Sequence, residues 1–250
     1  MKSIILSITL LSIIFINISC NRSATKENAN ADYQLLVDFT SDDSGNPPYH
    51  LSKKELKDLT NRIKATTGKK GAVTIRSSAL GSFTGPNEKE IIHIAFQEDP
   101  TASHAEGWGH TYFVVINSNS MKIINPGECG AERIFKTIHM PNGLDYLFMT
   151  SEFGGQGVVE IAAGLVSLAK NPLDTAILIK NFNNIYTDSC GGLYAEESGR
   201  VAASKLSYKW KNDKLEFKRE HFIKKCADSS KFQFVEISDK NDNETELPKK

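Results

Sequence analysis

The densest run of chemically competent side chains is Ser103-His104-Ala105-Glu106-Gly107-Trp108-Gly109-His110, with Cys129 further along the chain. Imidazoles and a thiolate are zinc ligands, and a carboxylate between them can serve as base toward a metal-bound water. A zinc site of His104, His110 and Cys129 with Glu106 as base therefore defines one expectation, a metal-dependent hydrolase. The spacing follows no common ligand rhythm, so the competing reading is a glycine-rich loop fastened by Trp108. Cys129, between Gly127 and Gly130, also suggests a thiolate nucleophile served by His104 or His110, but no Asn or Asp can be assigned to orient the imidazole. No Gly-x-Ser-x-Gly elbow, phosphate-binding loop or His-Glu-x-x-His is present. The expectation that follows is a binding protein rather than an enzyme, with no catalytic residue assigned and no cofactor.

The other cysteines carry a different chemistry. Cys129, Cys190 and Cys226 allow three pairings, which the spacing alone does not decide. Cys190 with Cys226 is the favoured disulfide, because the two border the last β region, and a loop of that length stabilises by roughly 3 to 4 kcal/mol in the chain-entropy model. Three reduced, buried thiols are the alternative.

Elements able to position these residues are legible from periodicity. Ser52-Lys53-Lys54-Glu55 is a capping box, with Leu51 placed to staple onto the first turn. Leu56, Leu59 and Ile63 fall on one face, and Gly68 stops the helix. Its lysines, Lys53, Lys54, Lys57 and Lys64, are interleaved with acids and read as a solvated face. Beyond the helix the period drops toward two. Strands are expected at 72–75, 90–96, 111–116, 121–124, 133–139, 144–150, 201–210, 215–223 and 232–237, divided by turns at 117–120, 141–143 and 211–214. Residues 158–170 fit a core strand or a buried helix, and a strand after the Gly154–Gly157 loop is favoured. Short loops imply antiparallel pairing. The expected fold is α+β, mostly antiparallel β in hairpins and a meander, with one short N-terminal amphipathic helix.

Composition bounds the function. The 250 residues carry 30 Lys plus Arg and 30 Asp plus Glu, with 40% apolar, which is globular composition. Zero net charge argues against nucleic-acid binding, which needs a cationic surplus. One apolar run stands out, Ile4 to Ile18, preceded by Lys2 and followed by Ser19-Cys20. A charged start, an apolar core shorter than a membrane span and a small residue before the cut make residues 1–19 a secretory signal peptide. Residues 20–32 are expected as a modified Cys20 with a flexible polar tether, 33–237 as a single β-rich domain, and 238–250 as a disordered tail.

Ser19-Cys20 resembles the lipobox of bacterial lipoproteins. Asn17 and Ile18 stand where enterobacterial boxes carry Leu and a small residue, a looseness similar to that of spirochaete, leptospiral-type lipoproteins. The resemblance implies that Cys20 becomes the N-terminus and carries a thioether-linked diacylglycerol with a further acyl chain such as palmitate. Two or three chains anchor a protein durably without a transmembrane helix. Asn21, in place of the Asp that retains enterobacterial lipoproteins, suits an outer-membrane, cell-surface location. The implied partners are the membrane through the lipid and host matrix, plasminogen or complement proteins, with no nucleic acid. The hydrolase built on the His104 to His110 loop, facing the periplasm, is the alternative.

Two further resemblances are partial. His104-Ala105-Glu106 with Pro126 and Cys129 is similar to the zinc deaminase pattern but lacks its Pro-Cys-x-x-Cys. Residues 141–157 resemble an FG-GAP or VCBS repeat without its calcium-binding Asp residues and without a second copy, which implies a twisted hairpin and no more.

Overall fold

The computed structural model describes residues 33–41, 45–99, 101, 109–127, 132–169, 175–191, 199–211, 214–226, 231–236 and 244–245. The expected leader, Cys20, the expected tether, His104, Glu106 and Cys129 lie outside the described residues.

Helix α1 spans Lys53–Thr67, between the caps its sequence announces. The Glu55 N–H donates to Ser52 Oγ at 3.3 Å and the Ser52 N–H donates to the Glu55 carboxylate at 2.8 Å, so each half of the box satisfies a donor that the first turn leaves unpaired. Gly68 closes the helix at φ 71°, where a side chain would be strained, and its N–H donates to the Lys64 carbonyl oxygen. Leu59 and Ile63 are buried with Leu51 packed beside them, while Leu56 stays exposed at the first turn. Ser52→Ala is expected to lower stability by about 1 kcal/mol. A urea midpoint would register that loss, and Lys57→Ala on the exposed face should leave the midpoint unchanged.

The rest of the described chain is mostly antiparallel β. A small sheet runs β2 (Val73–Gly81), β3 (Glu90–Glu98), β4 (Gly109–Ile116) and β5 (Met121–Ile124), each paired with the next. The turn after β4 is held by Asn117, whose side-chain oxygen accepts from the N–H groups of Asn119 and Ser120. The larger sheet runs β6 (Arg133–His139), β7 (Asp145–Gly155), β8 (Val158–Ser167), β9 (Ile177–Asp188), β10 (Arg200–Lys211), β11 (Lys214–Lys225) and β12 (Gln233–Val235) in chain order. Two short strands join it: β1 (Gln34–Asp38) pairs with β10, and β13 (Glu244–Thr245) pairs with β11. The tail expected as disordered from residue 238 thus contributes a two-residue edge.

Strand bounds differ from the sequence expectation where glycine or a bulge lets a strand continue. β2 runs on from residue 75 to Gly81 through a register shift between Ile75 and Ser77. β7 continues through Gly154 and Gly155, and the reversal is confined to Gln156 and Gly157, at φ 52° and 79°. Two consecutive positive φ values are what a tight two-residue hairpin requires. The 141–143 turn forms as expected, with Gly143 at φ 81° and its N–H donating to the Met140 carbonyl oxygen at 2.9 Å.

Pairing of β9 with β10 stops at Ala203, and from Lys205 to Tyr208 the same edge of β10 is taken by β1. The split turns β1, β10 and β11 over the face of β6–β9. One core fills the space between them, including Leu36, Phe148, Phe182, Leu206 and Phe217. The opposite face of β6–β9 packs on the small sheet through Ile134, Leu147, Met149 and Val166 against Ile92, Ile94 and Phe113. The far face of the small sheet holds α1 through Leu59, Ile63, Ala95 and Val114. The layers therefore run α1, small sheet, β6–β9, then β1–β10–β11.

This layering accounts for the apolar run 158–170. The second half of β8, from Ala163 to Ser167, is buried residue after residue, so alternation disappears there and the sequence reads equally well as helix or strand. Polar side chains pin the two sheets together at their edges. Ser77 Oγ donates to the Asn46 carbonyl oxygen at 2.6 Å and accepts from the Ile134 N–H at 3.1 Å. Asp145 accepts from the Ser82 N–H at 2.8 Å and lies 2.9 Å from His139 Nδ1.

Candidate functional site

His110 is the described member of the sequence-predicted cluster, and it stands near the start of β4, where Gly109 pairs with Glu98 at the end of β3. Its Nε2 lies 3.3 Å from Asp99 Oδ2, and the same carboxylate accepts from Lys69 Nζ at 2.9 Å and from the hydroxyl and N–H of Thr101 at 2.6 and 3.0 Å. The Asp99 carboxylate thus satisfies four donors and ties the β3–β4 loop base to the segment after α1. The Tyr112 ring stacks beside His110 at 6.4 Å between centroids, and burial pushes the Tyr112 hydroxyl up from its ordinary value. Among the described residues, no group of three His, Cys, Asp or Glu side chains comes together in a form able to hold a metal ion.

The Thr101 hydroxyl, then Lys69, the Thr101 N–H and His110, hold Asp99 well below the usual carboxylate range. A depressed folded-state value means that the network's contribution is complete above the ordinary value of 3.8 and is lost as pH falls toward the folded value. Below about pH 4 the native protein should therefore lose stability more steeply than Asp99→Asn, whose side chain does not titrate. Thermal midpoints measured at descending pH check this, and parallel curves would contradict it.

A second polar pair sits in the small sheet. Ser78 Oγ lies 2.7 Å from His93 Nδ1 and also accepts from the Tyr49 N–H at 3.1 Å. These are the atoms of a hydroxyl–imidazole dyad, yet each side chain is 1% exposed, so no substrate reaches them. Burial pushes the His93 imidazole down from its ordinary value, keeping it neutral. The pair fastens the segment before α1 onto β2.

A surface cleft of about 130 Å³ opens where β7, β8 and β9 run beyond the cover of the small sheet. Its floor is Met149, Ala162, Gly164 and Val166, its walls include Leu178 and Phe153, and Ser151, Asn181 and Asn183 bring polar groups to it. Phe153 is 58% exposed at the rim. Asn181 donates to the Asn183 side-chain oxygen at 2.8 Å, which orients both amides. Gly164 lets β9 approach closely: an added Cβ would lie 2.9 Å from Leu178 Cδ1. The lining carries hydroxyl, amide and aromatic groups and no ionisable side chain. It can hydrogen-bond and stack on an uncharged polar ligand, and it offers no group for proton transfer near neutral pH.

The disulfide is Cys190–Cys226, with Cα atoms 5.4 Å apart across 36 residues. Cys190 follows β9 and Cys226 follows β11, so the bridge clamps the strands on either side of β10. The Cys190 N–H donates to the Asp188 carboxylate at 2.8 Å and the Cys226 N–H to the Gly199 carbonyl oxygen at 3.2 Å. The third thiol of the sequence reading, Cys129, lies outside the described residues, as does Cys20.

The cleft residues were not singled out by sequence. Ser151, Phe153, Asn181 and Asn183 come from two strands that are not neighbours, and the one available signal was a polar or small residue interrupting each apolar run. Among the described residues, no helix is long and apolar enough to cross a membrane. Comparison of the chain with protein-family models, with curated proteins and with solved structures finds no match in any of the three.

Proposed function

We propose that this protein is a lipid-anchored lipoprotein of the outer membrane, displayed at the cell surface, whose β-rich body serves as a binding or adhesion module for host or envelope components. The observation that carries the reading is the leader itself: Lys2, the uncharged apolar run Ile4 to Ile18, and Ser19 placed directly before Cys20. Such a run is too short to span a bilayer and ends at the one residue type that accepts a thioether-linked diacylglycerol. The body suits a binding role because its cleft presents uncharged hydrogen-bonding groups beside an exposed aromatic ring.

Fractionation and surface proteolysis test the reading together. The native protein is expected in the membrane fraction and open to protease added to intact cells, and Cys20→Ala is expected in the soluble fraction. A protein left intact on protease-treated cells overturns the surface assignment. A Cys20→Ala variant that still sediments with membranes overturns the lipid anchor.

A further inference from the structure

The outermost layer has a face whose chemistry the cleft does not use. Leu206, Tyr208, Leu215 and Phe217 point into the core, so strand alternation turns the intervening residues of β10 and β11 outward. That outward set contains Lys205, Lys209, Lys211, Lys214, Lys218 and Lys224. Register places four carboxylates among them: Glu216 opposite Lys209, Glu220 opposite Lys205, Asp38 on β1, also opposite Lys205, and Glu244 on β13, opposite Glu216. Lys205 pairs with Asp38 at 2.7 Å, Lys209 and Lys211 with Glu216 at 3.3 and 2.8 Å, and Lys218 with Glu220 at 3.1 Å, and six lysines against four carboxylates leave a local excess of two positive charges on a chain whose formal net charge is zero.

Aromatic rings are interleaved with these lysines. Lys209 Nζ sits 4.5 Å from the Tyr33 ring, Lys205 Nζ 5.4 Å from Phe222, and Lys224 Nζ 4.8 Å from Phe232. Phe234 of β12 packs edge-on against Phe222 at 5.8 Å and remains 60% exposed, and Leu35 on β1 is also exposed. Ammonium groups beside half-exposed rings match a bilayer's interfacial zone, where rings settle at headgroup depth and lysine stems reach anionic phosphates.

We propose that the outward face of β10–β11, flanked by β1 and β12, is a docking surface for the anionic headgroups of a phospholipid bilayer. The inference rests on the lipid-anchor reading, since the anchor brings the bilayer within reach. The chain enters the fold on this same face, at Tyr33 beside Lys209. From Cys20 to Tyr33 it can span at most about 45 Å in any conformation. With stacked layers about 10 Å apart, laying the α1 side on the membrane would consume most of that reach, whereas the β10–β11 face needs little of it.

The test uses the full-length protein mixed with vesicles of pure phosphatidylcholine or with roughly 30% phosphatidylglycerol added, followed by flotation and amine labelling read by mass spectrometry. On anionic vesicles, labelling of Lys209, Lys218 and Lys224 is expected to fall about fivefold or more, while Lys53 and Lys57 on α1 react as in solution. The protection should shrink on phosphatidylcholine and in about 0.5 M salt. K209E/K218E should still float and should lose the protection at Lys224. Flotation on both vesicle types without protection at these lysines, or with protection at Lys53 and Lys57 instead, overturns the docking face and leaves the anchor standing. Flotation on anionic vesicles alone, with the expected protection, supports the face and counts against the anchor. Failure to float on either overturns both.

Discussion

Phe182→Ala is expected to destabilise the protein by about 3 to 5 kcal/mol, the largest loss of any single core truncation proposed for this fold. The ring is fully buried on β9 and lies between two layers, meeting Phe148 of β7 at 6.1 Å and Phe217 of β11 at 5.1 Å, both edge-on. Edge-to-face pairs add stabilisation beyond area burial, and two are lost at once. Neighbours from separate strands of a folded-over sheet cannot all close on the vacated space, so a cavity remains and raises the cost. A guanidinium titration reads the effect as a lowered midpoint at unchanged slope. A shift corresponding to less than about 1 kcal/mol would mean that the β1–β10–β11 layer is not packed on β6–β9 as described.

Removal of the disulfide is the second large effect. Closing a loop of 36 residues restricts the unfolded chain, and the chain-entropy model assigns this about 3 to 4 kcal/mol. The double variant Cys190→Ser/Cys226→Ser, which leaves no unpaired partner, should show that loss by chemical denaturation. The native protein treated with reductant should approach the same midpoint. The bridge spans the ends of β9 and β11, and β10 pairs with β9 over only three residues, Val201 to Ala203, so the junction has few ladder bonds of its own. Equal midpoints for oxidised and reduced protein would show that the clamp does not restrain this junction.

The elements legible in sequence were those with local causes. The capping box, the Asn117 turn, the 141–143 turn and the alternating strands β3, β4, β5 and β6 depend on residues a few positions apart, and each appears within two residues of its expected bounds. Besides the two-residue β13, two strands had no such signature. β1 is five residues long, and its partner Tyr208 lies far along the chain, so pairing rather than pattern makes it a strand. β9 carries Asn181, Asn183 and Asn184, which read as turn residues, and Asn184 does adopt a positive φ of 51° at the register shift opposite Ile161 and Ala163 of β8.

The candidate sites divide in the same way. His110 was visible as a reactive residue type, but its partners were not: Asp99 reaches it across the β3–β4 loop, and Lys69 arrives from the segment after α1. The pairing of Cys190 with Cys226 followed from their position at the borders of the β region. The cleft and the lysine-rich face depended on knowing which strands lie side by side and which way each residue points, and the absence of β9 and β1 from the sequence reading hid both.

Acylation at Cys20 is decided by mass spectrometry of the N-terminal peptide of protein extracted from membranes. The expected species begins at Cys20 with a diacylglycerol on its sulfur and a further acyl group on its amine. A chain that retains residues 1–19, or one that begins with an unmodified Cys20, would mean that no lipid anchors this protein.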